Sequence, residues 1–526
     1  MSHQNSPQTP SASSSDETDS IVAFTAQLVR IPAQGGIDQP KPMLQAISAW
    51  LTDHGVNHRL LLASAKSPPS SSSVAAAASA KSPSSSSSVA AAASAKSPSS
   101  NSSVAAVLDP VAVVIEIQGA LPGPTYCFDA CVDTAPAGNL ASWTKPPFAA
   151  VIEDGWLYGR GSADSKVAVA ILCHLALEFQ KRRDTMHGKL TILLDGDEHT
   201  GRFGGVKEYI AKVEKPDGLV ICYPGNDRIA VGARGFFRVS ISVPGFAQHA
   251  GSSQPVKDSA VTKAVLLAAK LNAIVLPKEA DEDFYFGPKL TITAINGGSG
   301  FAQVPDLCVI NVDVRLTPSF TAADARLLIK QAVDEVDGGN ASAGKKACTI
   351  KEEESWPQYK LAADHPLVAS FVAAASDAHG RAVTSFVCGP SNIGCYLSSF
   401  NVPATCGFGV NFRGLHAADE AIEIASILPV VDSYRKLVEN LLFPEVAPAK
   451  VVPEEAALQV AMLEVATVEA LGEVVPDVAV GACCGGNACG RESVDSVADS
   501  TADSANDSPA KAGPDSTIRA DSDTKE

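Results

Sequence analysis

At 526 residues the chain is long enough for two or more domains with sizeable cores. Its formal net charge of -17, with no basic run, argues against a nucleic-acid partner, and no apolar stretch reaches the ~20 residues of a membrane helix. Twelve cysteines, unclustered up to Cys406, fit reduced buried thiols better than a disulfide framework; with no charged-then-apolar leader in residues 1–7, the expected compartment is the cytoplasm.

Residues 1–18 are Ser/Pro/Gln-rich and are expected to be disordered. Ser20 is placed to cap a helix carrying Ile21, Phe24, Leu28 and Val29. Residues 40–54 repeat the helical spacing with Met43, Leu44, Ile47, Trp50 and Leu51. The composition then changes abruptly. Ser-Ala-Lys-Ser-Pro recurs from Ser64, Ser79 and Ser94, so residues 63–106 read as a low-complexity insertion in a surface loop with no site residue types.

Residues 111–117 return to an apolar, β-prone run, and residues 125–133, 189–194 and 218–222 are three more. Two of these runs lead into polar clusters, Cys131-Val132-Asp133 and Asp195-Gly196-Asp197-Glu198-His199, and the third meets Tyr223-Pro224-Gly225. Ligands and catalytic groups collect at the C-terminal ends of strands in open α/β sheets. Between these runs, Asp154-Gly155 reads as a turn and Trp156-Leu157-Tyr158 as a short strand, with Gly159 and Gly161 in the loop that follows. Helical spacing from Ala163 to Phe179 puts Asp164 at or just before a first turn. Taken alone, a carboxylate there reads better as a helix cap than as a site residue, so Asp164 by itself does not make a site.

From residue 229 the pattern becomes strand 229–244, helix 258–274, strands 290–295 and 307–316, helix 322–336 and a strand at 348–351. That order suits a ferredoxin-like α+β domain, residues 229–355. It is inserted into a larger α/β domain built from residues 19–228 and 356–444, which closes with a strand at 404–409 and a helix over 419–442. Residues 445–526 hold 16 Asp/Glu and 5 Lys/Arg and read as a low-complexity acidic tail. Within it, residues 453–474 have helical spacing, and Cys483, Cys484 and Cys489 match no metal-site spacing.

The motifs agree in order and spacing: Cys-Val-Asp-Thr-Ala-Pro-Ala-Gly at 131–138, Trp143-Thr144, Pro147-Phe148, Leu-Tyr-Gly-Arg-Gly-Ser-Ala-Asp at 157–164 and Asp-Glu-His-Thr-Gly at 197–201. Over residues 21–442 the chain resembles the zinc exopeptidases of the aminoacylase, acetylornithine deacetylase, succinyl-diaminopimelate desuccinylase and glutamate carboxypeptidase family. The resemblance implies a catalytic domain with a mixed sheet flanked by helices, and an inserted domain that makes a homodimer. It also implies two metals bridged by Asp164, with a bound water between them as nucleophile and Glu198 as its general base. His199 stands where a glutamate ligand is usual, and His416 matches the C-terminal histidine ligand. Asp164, His199 and His416 thus make the three-ligand set of a catalytic zinc.

The second metal's positions fall on Cys131, the shared Asp164 and Tyr223. A thiolate binds zinc well, whereas a neutral phenol does not replace a carboxylate; Asp227 is the nearest carboxylate in sequence. Asp133, which orients a histidine in the family, here meets Cys131. His249 matches a histidine that reaches the partner subunit's site, and Arg315, Gln303 and Asn392 match substrate-facing positions. One zinc is therefore expected, with a second open. The implied substrate is a dipeptide or an N-acyl amino acid. The alternative is a non-catalytic relative binding metal or an amino-acid-like ligand: Glu198 favours the enzyme, and Cys131 with Tyr223 favours the alternative.

Overall fold

The structure, a computed structural model, describes residues 12–64, 109–213, 215–256, 258–277, 283–338 and 346–444. Residues 65–106 of the repeat insertion, the helix expected over 453–474 and the cysteines of the tail lie outside these residues.

Alternation along the strands decides the larger domain. In Pro110–Gln118, Val113, Ile115 and Ile117 enter one apolar core while Ala112 and Val114 enter another; His187–Asp195 divides Leu190, Ile192 and Leu194 from Leu193 in the same way. A sheet apolar on both faces must be covered on both. Helices Ala12–Val29, Lys41–Asp53, Val167–Arg182, Pro366–His379 and Ile427–Leu442 fill the first core, and Gly204–Lys212 with Gly394–Ser398 fill the second.

The sheet is nine-stranded and mixed, in the order Arg59–Leu62, Pro110–Gln118, His187–Asp195, Leu121–Cys131, Gly218–Ile221, Ala404–Cys406, Arg228–Ala233 and Tyr359–Lys360. Thr384–Cys388 also pairs with Arg228–Ala233. Leu121–Cys131 runs parallel to both His187–Asp195 and Gly218–Ile221, so Cys131, Asp195 and Ile221 end on one edge of the sheet.

Three elements depart from the sequence reading, each for a tertiary reason. The first helix starts at Ala12 rather than at Ser20. Glu17 pairs with Arg435 at 2.6 Å, and Ser20 hydrogen-bonds His174 at 2.9 Å instead of capping. Ala421–Glu423 is a strand paired with Trp156–Tyr158, and the helix expected from residue 419 begins at Ile427. Residues 229–244 are two strands: Arg228–Ala233 lies in the main sheet and Gly235–Pro244 in a second one, with Arg234 as the joint.

That second sheet orders Lys289–Gly297, Leu307–Leu316, Gly235–Pro244 and Thr349–Trp356, all antiparallel, which is the ferredoxin-like arrangement. Helices Ala260–Asn272 and Ala322–Asp337 cover the face carrying Val239, Ile241, Ile310, Val312 and Val314. Arg238, Asp313 and Arg315 line a cavity of about 760 Å³ shared with Gly389-Pro390 of the larger domain.

Candidate active site

Asp164 is the hub. The turn Ser162–Lys166 is wide, and Asp164 in it has φ -119° and ψ 91°; regular helix begins only at Val167. Asp164 is therefore not a first-turn cap. Its carboxylate is 2 % exposed, and its two oxygens serve different partners. Oδ1 accepts from Ser165 Oγ at 2.8 Å and from the Cys131 thiol at 3.4 Å. Oδ2 lies 2.9 Å from His416 Nε2 and 3.4 Å from His199 Nε2. Cys131, Asp164, Glu198 and His199 each offer a ligand atom within 4.8 Å of the others. His416 approaches with its side chain 49 % exposed.

Backbone contacts hold this group in place. Asp133 Oδ1 accepts the Glu198 N–H at 3.0 Å and Oδ2 accepts the His199 N–H at 2.8 Å. Asp133 thus positions the acid–histidine pair rather than an imidazole two residues upstream. Behind His199 sits Gly35, where a Cβ would come within 2.9 Å of His199 Cβ. Glu420 is fully buried, ion-pairs with Arg160, and accepts the N–H groups of Ala163 at 3.0 Å and Asp164 at 3.3 Å. Arg160 also donates to the Ala417 carbonyl at 2.9 Å, so one ion pair ties the Asp164 turn to the His416 loop. Sequence reasoning missed Glu420 because Asp419-Glu420 looks like the acidic start of a helix. An arginine between Gly159 and Gly161, beside the site, was the available signal.

Burial pushes the Cys131 thiol well up, and the Asp164 and Glu198 carboxylates push it further. For Asp164, burial acts upward but is outweighed by the His199 and His416 imidazoles beside it, which hold the carboxyl well below its usual range. Burial alone would lower His199; the surrounding Asp133, Asp164, Cys131 and Glu198 raise it instead. His199 Nδ1 is 2.9 Å from Glu198 Oε2, yet neither of its buried ring nitrogens has a partner in hydrogen-bond geometry among the described residues. A buried imidazole with orphaned nitrogens, facing carboxylates and a thiol, fits a divalent metal ion.

A cavity of about 500 Å³ opens beside these groups, bordered by Cys131, Glu198, Tyr223 and Asn392. Burial raises the Tyr223 phenol, so it stays neutral, and no carboxylate stands at that position. Asp227 also borders the cavity, but its side chain is 97 % exposed and 4.0 Å from Arg381, apart from the metal-type group. Asn392 Oδ1 accepts the Gly394 N–H at 2.8 Å. Arg315 borders the adjoining cavity and donates to Ser391 Oγ at 2.8 Å, next to Asn392. Arg234, which sequence reasoning passed over, lines the same cavity and donates to the Gly389 carbonyl at 2.7 Å. His249 and Gln303 face each other across a two-stranded ribbon; both are exposed, and neither joins the Asp164 group.

An α/β domain carrying such a group at its strand ends, with an inserted α+β domain beside it, is a hydrolase of the peptidase or amidohydrolase type. Residues 127–440 match the Peptidase family M20/M25/M40, and the chain belongs to that family. It is 28% identical over 327 residues to a succinyl-diaminopimelate desuccinylase of Caulobacter sp. (strain K31), covering 60% of this chain and 81% of that one. Its fold is similar to an M20 family metallo-carboxypeptidase from Sulfolobus solfataricus, with a TM-score of 0.58 and 13% identity over 80% of this chain and 98% of that one. Human carnosine dipeptidase 1 is similar at a TM-score of 0.57 and 14% identity, over 82% and 97%. No helix among the described residues is long and apolar enough to cross a membrane.

Proposed function

We propose that this chain is a zinc-dependent hydrolase cleaving the amide or peptide bond of a dipeptide or an N-acyl amino acid. One observation carries the reading: the two oxygens of Asp164 divide between a thiol and two imidazoles beside Glu198, at the edge of a cavity sized for a small molecule. Asp164, His199 and His416 would hold one zinc, and Cys131 with the shared Asp164 a second, weaker one. Zinc bound there supplies a Lewis acid that polarises the scissile carbonyl and makes water acidic enough to attack near neutral pH.

The remaining work falls to side chains. Glu198, which borders the cavity, takes the proton of the attacking water and returns it to the leaving amine. Asp133 fixes Glu198 through its backbone N–H. Asn392 and Arg315, on segments that converge at Ser391, hold the substrate's polar ends. His249, exposed and remote from the Asp164 group in sequence and contact, acts from a partner subunit. The inserted domain supports such a homodimer: Lys289–Gly297 is an edge strand, and Val265, Leu266 and Ile295 are 56%, 58% and 46% exposed. The cysteines of the described residues are all free, which supports a reducing compartment such as the cytoplasm.

The neutral Tyr223 favours a second reading, an impaired relative that binds metal or an amino-acid-like ligand without turnover. Zinc analysis combined with a panel of dipeptides and N-acyl, including N-succinyl, amino acids separates the two. Hydrolysis that a chelator abolishes and zinc restores supports the first reading. Full zinc loading with no turnover across the panel leaves the second.

A further inference from the structure

Tyr359 borders neither cavity, yet it holds a side chain that does. The chain leaves the main sheet at Arg234 and returns through Pro357-Gln358, between Thr349–Trp356 and Tyr359–Lys360. The two crossings run side by side. A Cβ on Gly232 would come within 2.5 Å of the Tyr359 carbonyl oxygen, and one on Gly235 within 2.5 Å of Gln358 N. From this junction Tyr359, 8 % exposed, donates its phenol proton to Asn392 Oδ1 at 3.3 Å. Burial pushes the phenol well up, so it keeps the proton it donates. Gly394 packs so closely that a Cβ there would lie 2.3 Å from the phenol oxygen.

An asparagine amide can present either its oxygen or its nitrogen to a guest. Here the neighbours decide. The Gly394 N–H can only donate, and it meets Oδ1 at 2.8 Å, on the same oxygen as the Tyr359 hydroxyl. Nδ2 donates to Cys388 Sγ at 3.6 Å, and the thiol's own proton goes to the Pro390 carbonyl at 3.2 Å. With both lone pairs of Oδ1 engaged, the second N–H of Nδ2 is what Asn392 offers to the 500 Å³ cavity. The backbone of this loop is held separately. Ser391 Oγ donates to the Arg234 carbonyl at 2.6 Å, and the Cys395 thiol donates to the same carbonyl at 3.3 Å.

We infer that Tyr359 is a positioning residue: it locks Asn392 as an N–H donor, so the substrate turns an acceptor oxygen, a carbonyl or a carboxylate, toward that wall. The inference rests on the hydrolase reading for its substrate, but the orientation of the amide stands apart from it.

Tyr359→Phe removes one oxygen and keeps the ring. The zinc-loaded protein is assayed on whichever dipeptide or N-acyl amino acid the wild type hydrolyses best. KM should rise ~5-fold in Tyr359→Phe with kcat within ~2-fold, because one neutral hydrogen bond that serves ground and transition state alike is weakened. In an Asn392→Ala background the same change should do nothing further, whereas a role in the fold alone would cost as much there as in the wild type. Asn392→Asp should raise KM more than Asn392→Ala, since it replaces the donor by a group that repels an acceptor. An unchanged KM in Tyr359→Phe, an equal loss in both backgrounds, or an Asn392→Asp as good as wild type would overturn the inference and leave the hydrolase reading standing. If no substrate turns over, the hydrolase reading fails and the amide is read directly. In proton–nitrogen correlation spectra of protein with isotope-labelled asparagine side chains, the carboxamide pair missing from Asn392→Ala should shift in Tyr359→Phe. A pair that stays in place rejects the inference without any assay.

Discussion

Glu198 and His199 are neighbours in sequence, but their assigned work differs, and substitutions should separate the two. Glu198→Gln should retain zinc while kcat falls ~100-fold or more, because the attacking water loses its proton acceptor. Metal analysis beside steady-state kinetics checks this, and surviving activity would show that the base lies elsewhere. Gly35→Ala probes positioning without replacing a ligand. Its Cβ would press on His199 Cβ at 2.9 Å and on Asp133 Oδ2 at 3.2 Å, so kcat should drop further than thermal stability does. The thiol side of Asp164 makes the third case. Cys131→His with Tyr223→Glu should raise zinc retained after dialysis against a weak chelator from one ion per chain toward two. Unchanged retention would clear Tyr223 of blame for the weak site.

The Asp164 turn and the His416 loop are held together by the buried Arg160–Glu420 pair. Breaking such a pair from one side strands a charge in the core. Glu420→Ala should therefore cost ~3–5 kcal/mol in denaturant unfolding, and Arg160→Met with Glu420→Leu should recover much of it. If the single variant unfolds like wild type, the pair is not what joins the two loops. This pair also shows where sequence reading reached its limit. Cys131, Asp164, Glu198 and His199 were legible because each follows a run whose period and turn residues announce an element's end. Glu420 was not, since its role depends on a partner 260 positions away and on a strand, Ala421–Glu423, that exists only by pairing with Trp156–Tyr158. The break at Arg234 was hidden for a similar reason. Residues 228–244 keep one β-prone alternation while the chain passes from one sheet to another. The helix start at Ala12 was masked by its polar composition, and Glu17 within that first stretch pairs with Arg435, far along the chain.

At the scale of the molecule, the two ends of the repeat insertion are already joined. The Ala63 N–H donates to the Asp109 carbonyl at 3.1 Å, at the base of the low-complexity segment. Replacing residues 65–108 with a short Gly/Ser turn should leave kcat/KM close to wild type and should not lower the melting midpoint, since the shorter loop closes at an entropic cost smaller by ~2 kcal/mol. A loss of several degrees would mean that the repeats contribute to packing. The inserted domain carries the opposite expectation. Leu266→Glu at its exposed helix should convert a dimer to monomers in sedimentation equilibrium and lower kcat if His249 works across subunits; a monomeric wild type would remove that role from His249.

The measurement closest to the central claim is zinc stoichiometry followed together with turnover on one preparation as a chelator is titrated in and zinc is titrated back. A carboxylate shared by His199 and His416 predicts at least one tightly held zinc per chain, with hydrolysis of a dipeptide or N-acyl amino acid lost as that ion leaves and regained as it returns. His199→Ala should hold far less of it. Turnover that persists after all zinc is removed, or a purified chain that binds none, would contradict the account.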